Sequence, residues 1–331
     1  MNRPATLAAL LLLLVISAGC TDADPERTTL MVIPAGSLLY PLEDIEAAFE
    51  DQHPGIDVRI EGHGSIQAIR QVTDLRRDVD VVAVADASLI PDMMYRPMPD
   101  GGSNYTDWYV AFAENEVVIA YTDKSIGATE ITQENWYRIL SRPDVRVGFS
   151  NPMLDACGYR ALMVTVLAEE YYGEPGLFDA IIGGSFNPLL PVTREDGVAK
   201  ITLPELMRPA GDKVAIRDGS IYLLSLLDAG GIDYAFEYRS VAEDHGLLWI
   251  DLPPEINLGF AEYADDYQKA HVTLGFRRFQ SIESERVGQP IVYAMTIPAD
   301  APHPEEARIF VDFVLEAFQD GWPRSGATAI D

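Results

Sequence analysis

The sequence is poor in cysteine and in positive charge, and each shortage excludes a class of protein. Only two of its 331 residues are cysteines, Cys20 and Cys157. Lysine and arginine number 24 against 52 aspartates and glutamates, which gives a formal net charge of −28. Without a basic patch the surface cannot neutralise phosphates, so nucleic acid is excluded as a partner. The five histidines and the cysteines show no ligand spacing, which argues against a zinc site.

The longest apolar run lies at the N-terminus and is too short to span a membrane. It covers residues 5–18, follows Arg3, and ends in small residues before Cys20. The pattern predicts a signal peptide over residues 1–19, cleavage before Cys20, a lipid anchor on Cys20 and a polar tether over residues 20–28. An ordinary signal peptide with an incidental cysteine is the alternative. In either case one cysteine remains alone in the rest of the chain, so no internal disulfide is expected.

From residue 29 onward, apolar segments of strand length alternate with amphipathic segments of helix length. This alternation predicts an α/β fold with mainly parallel sheets flanked by helices, and the length suits two lobes. The predicted strands cover residues 30–33, 56–60, 79–85, 117–121, 145–149, 213–217, 232–238, 247–252 and 291–297, and the predicted helices cover 41–52, 65–77, 160–172, 220–229 and 304–318.

Three predicted strand-to-helix junctions carry small residues and hydrogen-bond donors. Gly36-Ser37 precedes the first helix, Gly64-Ser65 opens the second, and residues 155–160 (DACGYR) precede the third. Glycine allows close approach of the backbone, serine adds a hydroxyl, and a helix N-terminus favours an anion. Such junctions lie at the carboxyl ends of strands, where α/β proteins bind ligands. Taken singly, each junction could instead be an ordinary helix cap.

The sequence around these junctions resembles the archaeal tungstate/molybdate-binding proteins of ABC importers. The resemblance covers about residues 29–318 and is most specific at residues 151–160 (NPMLDACGYR) and 233–242 (DYAFEYRSVA). It implies a two-lobed α/β fold of the type II periplasmic-binding-protein kind, with the ligand in the cleft between the lobes. Lobe one would comprise residues 29–113 and 288–331, and lobe two residues 114–287.

The resemblance also implies an oxyanion site built from both lobes. Its residues would come from two Gly-Ser pairs, an Asp-x-Cys segment and a tyrosine that the family uses for binding. The positions that match are Gly36, Ser37, Gly64, Ser65, Asp155, Ala156, Cys157 and Tyr238.

Members of this family bond the metal centre of the oxyanion directly through two carboxylates, which expands it toward octahedral geometry. Asp155 matches the first carboxylate. Ser220 stands where the second is expected, and Asp218 lies two residues earlier. We therefore expect Asp155 to be a direct ligand of tungsten or molybdenum, Ser220 to lie in the site, and the coordination number to stay below six.

Together these features predict an extracytoplasmic, membrane-anchored capture protein without enzymatic activity or cofactor. Its expected partners are the permease of an ABC importer, a small oxyanion and, through the lipid anchor, the membrane, and it is expected to be a monomer. Sulfate or phosphate is the alternative ligand. Phosphate carries a proton and needs an acceptor such as Asp155, whereas sulfate prefers donors only. The alternative of another class is a hydrolase with Cys157 as nucleophile and His63 or His245 as base.

Overall fold

The computed structural model describes residues 27–275, 285–320 and 328–329. The predicted signal peptide, the lipid anchor on Cys20 and most of the tether lie outside the described residues. Within the described part of the chain, no helix combines the length and the apolarity that crossing a membrane requires.

Strands and helices alternate along the described chain, as the hydrophobic pattern predicts. The strands are β1 (Thr28–Pro34), β2 (Ile56–Ile60), β3 (Val81–Val84), β4 (Val110–Asn115), β5 (Val117–Tyr121), β6 (Val147–Ser150), β7 (Val192–Glu195), β8 (Val198–Thr202), β9 (Val214–Arg217), β10 (Tyr234–Tyr238), β11 (Leu248–Asp251), β12 (Ala270–Thr273), β13 (Glu285–Val287), β14 (Ile291–Thr296) and β15 (Thr328–Ala329). The helices are α1 (Leu39–Gln52), α2 (Ser65–Thr73), α3 (Leu89–Met94), α4 (Trp136–Leu140), α5 (Ala156–Tyr172), α6 (Leu177–Ile181), α7 (Leu224–Asp228), α8 (Arg239–Asp244), α9 (Ala264–Tyr267) and α10 (Pro304–Gln319).

The strands form two main sheets and a smaller one. The first sheet has the order β15-β4-β14-β3-β1-β2, and the second has the order β11-β5-β10-β6-β9. In each main sheet, three neighbouring strands are parallel to one another, and every other neighbouring pair is antiparallel. The third sheet, β13-β12-β8-β7, corresponds to no predicted strand, because its short strands are partly exposed and lack a strong apolar pattern.

The chain passes directly from one main sheet to the other between β4 and β5. Only Glu116 separates the end of β4 at Asn115 from the start of β5 at Val117. The chain returns to the first sheet at β14, where the Ile291 N–H donates to the Leu258 carbonyl at 2.8 Å. The lobe ranges drawn from the sequence remain a prediction.

Helix α5 lies in the middle of the second half and is buried from Ala156 to Glu169. It packs on strands β5, β6, β10 and β12, so it is covered on several sides. A helix in that position is apolar all round, as the sequence around Met163 is. It begins at Ala156, four residues before the predicted start. Asp155 is therefore the helix N-cap residue.

Candidate functional site

The first two junctions contact the third at the place where the two main sheets meet. The Gly36 N–H donates to the His63 carbonyl at 2.6 Å, which joins the first junction to the second. The Gln67 N–H at the start of α2 donates to the Leu154 carbonyl at 3.1 Å. A side chain at residue 64 would place its Cβ 2.4 Å from the Leu154 carbonyl oxygen, so only glycine allows this approach. All three predicted junctions thus belong to one site.

The hydroxyls of Ser37 and Ser65 are not helix caps, which excludes the ordinary interpretation of the two Gly-Ser pairs. The N-cap residues are Ala35 and Gly64, and neither helix start has a side-chain cap. Instead the Ala85 N–H donates to Ser65 Oγ at 3.0 Å. Each serine is nine-tenths or more buried.

Ser37 Oγ likewise accepts a hydrogen bond from the protein. The Tyr293 hydroxyl donates to it at 3.0 Å and itself accepts from Asn115 Nδ2 at 3.0 Å. Because each serine oxygen already accepts, each hydroxyl proton remains to be donated to something else. The site therefore offers hydroxyl donors.

Tyr238 is oriented in the same way by a buried arginine. Arg160 Nη1 donates to the Tyr238 hydroxyl oxygen at 2.6 Å and to the Ala85 carbonyl at 2.6 Å. Burial raises the pKa of Tyr238 well above its usual value, so the hydroxyl keeps its proton. Since its oxygen accepts from Arg160, this proton too is available for a ligand.

Arg160 also connects the two halves of the site electrostatically. Its Nη2 atom lies 3.6 Å from Asp86 Oδ2, just beyond β3 of the first sheet, and both residues are buried. Burial opposes ionisation of Asp86, but the charge of Arg160 and hydrogen bonds from Tyr159 and Ser88 outweigh it and lower the pKa of Asp86. Arg160 Nη2 has no hydrogen-bond partner among the residues that the structure describes.

Asp155 joins the start of α5 to the 3₁₀ turn Ser220–Leu223. Its Oδ1 accepts from the Cys157 N–H at 3.4 Å and its Oδ2 from the Ser220 N–H at 2.9 Å. Burial raises the pKa of Asp155, while hydrogen bonds from Ser150, Ser220 and Cys157 partly offset that effect. Asp155, Cys157 and Ser220 are thus brought together as predicted, with Ala156 as the first residue of α5.

Cys157 lacks the surroundings of a nucleophile. Burial raises the pKa of its thiol well above the usual value, and the thiol lies 3.6 Å from the Phe236 carbonyl oxygen. Of the two histidines considered as a base, His63 bonds to Glu61 at 2.9 Å, and the ring of His245 packs on Tyr40 at 5.8 Å. A thiol that stays protonated is a weak nucleophile.

A second buried carboxyl group that interacts electrostatically with Asp155 is that of Glu237, which was not among the predicted site residues. Asp218, the residue considered for that role, is exposed, whereas Glu237 is fully buried. Glu237 Oε1 accepts from the Tyr238 N–H at 2.8 Å. Burial raises the pKa of Glu237 to about 8, although that N–H and the Ser220 side chain act to lower it. The available signal was a lone acidic residue in the otherwise apolar strand Tyr234–Tyr238.

Comparison with known proteins identifies the family of this chain. The profile of the family described as bacterial extracellular solute-binding protein matches residues 30–326. The chain belongs to this family of extracellular solute-binding proteins. It is 41% identical to the molybdate/tungstate-binding protein WtpA of Thermococcus kodakarensis over 323 residues, 93% of this chain and 86% of that protein. It is 40% identical to WtpA of Pyrococcus abyssi, over 94% of this chain and 87% of that protein.

Solved structures of other solute-binding proteins share the fold. The periplasmic molybdate-binding protein of Azotobacter vinelandii matches with a TM-score of 0.55 at 15% identity, over 87% of this chain and 92% of its own. The sulfate-binding protein SubI of Mycobacterium tuberculosis matches with a TM-score of 0.57 at 13% identity, over 92% of this chain and 88% of its own. The predicted two-lobed α/β fold of the type II periplasmic-binding-protein kind is confirmed.

Proposed function

We propose that this solute-binding protein captures tungstate or molybdate outside the cytoplasm and delivers it to the permease of an ABC importer. The observation that carries the proposal is the orientation of three buried hydroxyls, those of Ser37, Ser65 and Tyr238. Each oxygen accepts from a group of the protein, so each proton is left for an acceptor. A fully ionised tetrahedral oxyanion offers acceptors only, which complements such a site.

The names of the relatives support the choice of ligand. The two relatives named above, of about 40% identity, are named for binding molybdate and tungstate. Asp155 favours these ligands over sulfate, since a carboxylate repels a sulfate ion but can bond a hard, high-valent metal centre. No covalent step with the ligand is required, so the proposed function needs neither enzymatic activity nor a cofactor.

Capture would proceed by closure of the two halves around the ligand. Ser37 and Ser65 follow strands of the first sheet, whereas in the second sheet Tyr238 ends β10 and Asp155 follows β6. An anion that bonds to both sets stabilises the closed arrangement by its differential affinity. With a net charge of −28, long-range attraction does not favour an anion, so short hydrogen bonds must supply the affinity.

A titration of the mature protein tests the ligand. Isothermal titration with tungstate, molybdate, sulfate and phosphate, in phosphate-free buffer, is expected to show tight binding of the first two. The variant Ser225→Ala removes an exposed hydroxyl outside the site and serves as the control. Preferential binding of sulfate or phosphate would change the assigned ligand, and binding of none of the four anions would contradict the proposal.

Membrane anchoring through Cys20 is a separate part of the proposal. The small residues before Cys20 support cleavage and lipidation there. The variant Cys20→Ser is expected to move the protein from the membrane to the soluble fraction, whereas Cys157→Ser, which removes the other cysteine, should leave it at the membrane. Mass spectrometry of the wild-type N-terminus without a lipid would refute the anchor.

A further inference from the structure

Asn115 is a buried amide at the point where the chain passes from the first main sheet to the second. It ends β4, and only Glu116 separates it from the start of β5. Its Oδ1 accepts from the Glu116 N–H at 2.9 Å. Its Nδ2 donates to the Tyr293 hydroxyl at 3.0 Å and to Ser240 Oγ at 2.7 Å. Because an asparagine amide has two N–H donors, both of them are in use.

A backbone group fixes the orientation of this amide. A backbone N–H can only donate, so the atom that faces the Glu116 N–H must be the amide oxygen. The NH2 group must then face Tyr293 and Ser240. The reverse orientation would bring donors against the Glu116 N–H and leave that buried group without an acceptor, which is costly. Asn115 can therefore only donate to the Tyr293 oxygen.

The direction of this hydrogen bond is passed on to the oxyanion site. Burial raises the pKa of Tyr293, so its hydroxyl keeps its proton. The Tyr293 oxygen accepts from Asn115, and its proton is donated to Ser37 Oγ at 3.0 Å. The Ser37 oxygen is then an acceptor, and the Ser37 proton is left for the ligand. The hydrogen bonds run in one direction from the Glu116 N–H to Ser37, and each strengthens the next.

The origin of this chain of hydrogen bonds is held by residues that follow β10 of the second sheet. Glu116 Oε1 accepts from Arg239 Nη1 at 2.7 Å, and its Oε2 accepts from Asn257 Nδ2 at 2.6 Å. The Glu116 carbonyl also accepts from the Arg239 N–H at 3.0 Å. Arg239 directly follows Tyr238. The second half of the molecule thus sets the direction of a donor, Ser37, that follows a strand of the first sheet.

We propose that Asn115 is a positioning residue of the oxyanion site, which keeps Ser37 a donor toward the ligand by fixing the direction of these hydrogen bonds. This inference rests on the proposed function. Two hydroxyls that share one hydrogen bond cannot both donate in it. Without the donor of Asn115, the Tyr293 proton is free to turn away, and the Tyr293 oxygen can accept the Ser37 proton. That proton is then no longer available to the oxyanion.

The variant Asn115→Asp tests the inference, because it keeps the shape of the side chain and the acceptor for the Glu116 N–H. The new carboxylate accepts from the Tyr293 hydroxyl, which reverses the direction of the hydrogen bonds. We expect tungstate affinity to fall about tenfold, the worth of one hydrogen bond. Ser240→Ala is the matched control: it removes the other acceptor of the same amide, leaves the path to Ser37 intact, and should change affinity by less than about twofold. Equal affinities of Asn115→Asp and the wild type would overturn the inference.

The added negative charge also repels an anion, and a double variant separates the two effects. In Tyr293→Phe the path to Ser37 is already broken, so adding Asn115→Asp should reduce affinity by no more than about a further twofold. A full tenfold loss in that background would mean that the charge or a general disturbance acts on the ligand, and it would refute the positioning role. Asn115→Leu has neither the donor nor the charge, and it gives the same comparison with Tyr293→Phe where Asn115→Asp fails to fold.

These titrations also distinguish a failure of the inference from a failure of the proposed function. If the wild type preferred sulfate, the assigned ligand would change, and the same variants would be compared with sulfate, since Ser37 can donate to any tetrahedral dianion. If the wild type bound none of the four anions, the proposed function would be refuted and the role of Asn115 with it. If the wild type binds tungstate and the loss in Asn115→Asp does not depend on Tyr293, only the inference is refuted.

Discussion

The first sheet contributes hydroxyl groups to the site, whereas the second contributes a hydroxyl and carboxyl groups. From the first come the hydroxyls of Ser37 and Ser65, each polarised by a hydrogen bond that it accepts. From the second come the Tyr238 hydroxyl, oriented by Arg160, and two buried carboxyl groups with raised pKa, those of Asp155 and Glu237. Hydroxyl donors suit any tetrahedral dianion. Carboxylates repel a dianion unless its central atom can accept an additional ligand. On the proposed function, both sheets therefore contribute to affinity, whereas selectivity depends on the carboxyl groups of the second sheet.

The strongest test removes the residue that joins these halves. Arg160→Met would leave the buried Asp86 without its nearest cationic partner, with only the charge of Arg286 still acting on it, and would free the Tyr238 hydroxyl. We expect the free energy of unfolding to fall by about 3–5 kcal/mol, the usual cost of breaking a buried ion pair. Oxyanion binding should weaken as well. Denaturant unfolding and titration measure the two effects.

Arg142→Met is the matched control for this variant, because Arg142 pairs with Glu130 at 2.6 Å on the exposed surface. Its loss should change the free energy of unfolding by at most about 1 kcal/mol. Equal denaturation midpoints for Arg160→Met and the wild type would show that Arg160 does not hold the halves together.

The carboxyl half of the site should make the stability of the ligand-free protein depend on pH. In the folded state the pKa of Glu237 is raised to about 8, mainly by burial, from an ordinary value of 4.5. Below pH 4.5 the group is protonated in both states. As the pH rises toward 8, the unfolded chain ionises first, so the free energy of unfolding falls. The total fall attributable to this group is on the order of 4 kcal/mol, since one pKa unit is worth about 1.4 kcal/mol.

Glu237→Gln should remove this part of the pH dependence. The measurement is denaturant unfolding of wild type and variant at several values between pH 4.5 and 8.5, with the difference between them taken at each pH. That difference should increasingly favour the variant as the pH rises. A difference independent of pH would mean that Glu237 ionises normally in the folded protein.

The hydroxyl half of the site should affect binding more than folding. Ser37→Ala and Ser65→Ala are each expected to weaken tungstate binding by about 1.5–3 kcal/mol, the range for a hydrogen bond to a charged partner. Thermal stability without ligand should change less. Ser225→Ala, an exposed hydroxyl on α7, serves as the control in the same titration. If both site variants titrated like the wild type, the hydroxyls would be structural only.

The sequence predicts the hydrogen-bond donors of this site better than the residues that orient those donors. Small or polar residues at strand-to-helix junctions are visible in the sequence, and they include Gly36-Ser37, Gly64-Ser65 and Asp155. The structure brings all of them together. The partners that orient them come from distant parts of the chain: Tyr293 is 256 residues from Ser37, and Arg160 is 78 from Tyr238. No local pattern encodes such pairs.

Glu237 was missed for a related physical reason. A single acidic residue in a strand normally predicts an exposed face. Both faces of β10 are buried, and this becomes evident only once helices α5 and α8 pack on it. Similarly, the predicted helix over residues 65–77 ends at Thr73, because the chain turns at Arg76, which has a φ of 51°.

The smallest expected effect on ligand binding comes from a residue that would act on the ligand only through another residue. Tyr293 donates to Ser37 Oγ and accepts from Asn115 Nδ2, so its hydroxyl fixes the direction of the Ser37 proton. Tyr293→Phe keeps the ring, and Asn115 Nδ2 retains its bond to Ser240 Oγ at 2.7 Å, so no orphaned donor is created there.

We therefore expect Tyr293→Phe to weaken tungstate binding by only about 0.5–1.5 kcal/mol, the net worth of an ordinary hydrogen bond. Because Tyr293 would act through Ser37, the double variant Tyr293→Phe/Ser37→Ala should bind about as well as Ser37→Ala alone, since effects within one hydrogen-bonded pair do not add. Tyr105→Phe is the control: it removes a buried hydroxyl that bonds to the Thr73 carbonyl at 3.0 Å, away from the site, and should leave affinity unchanged. Additive losses in the double variant would instead mean that Tyr293 contacts the anion itself, and the hydroxyl half of the site would then extend to β14.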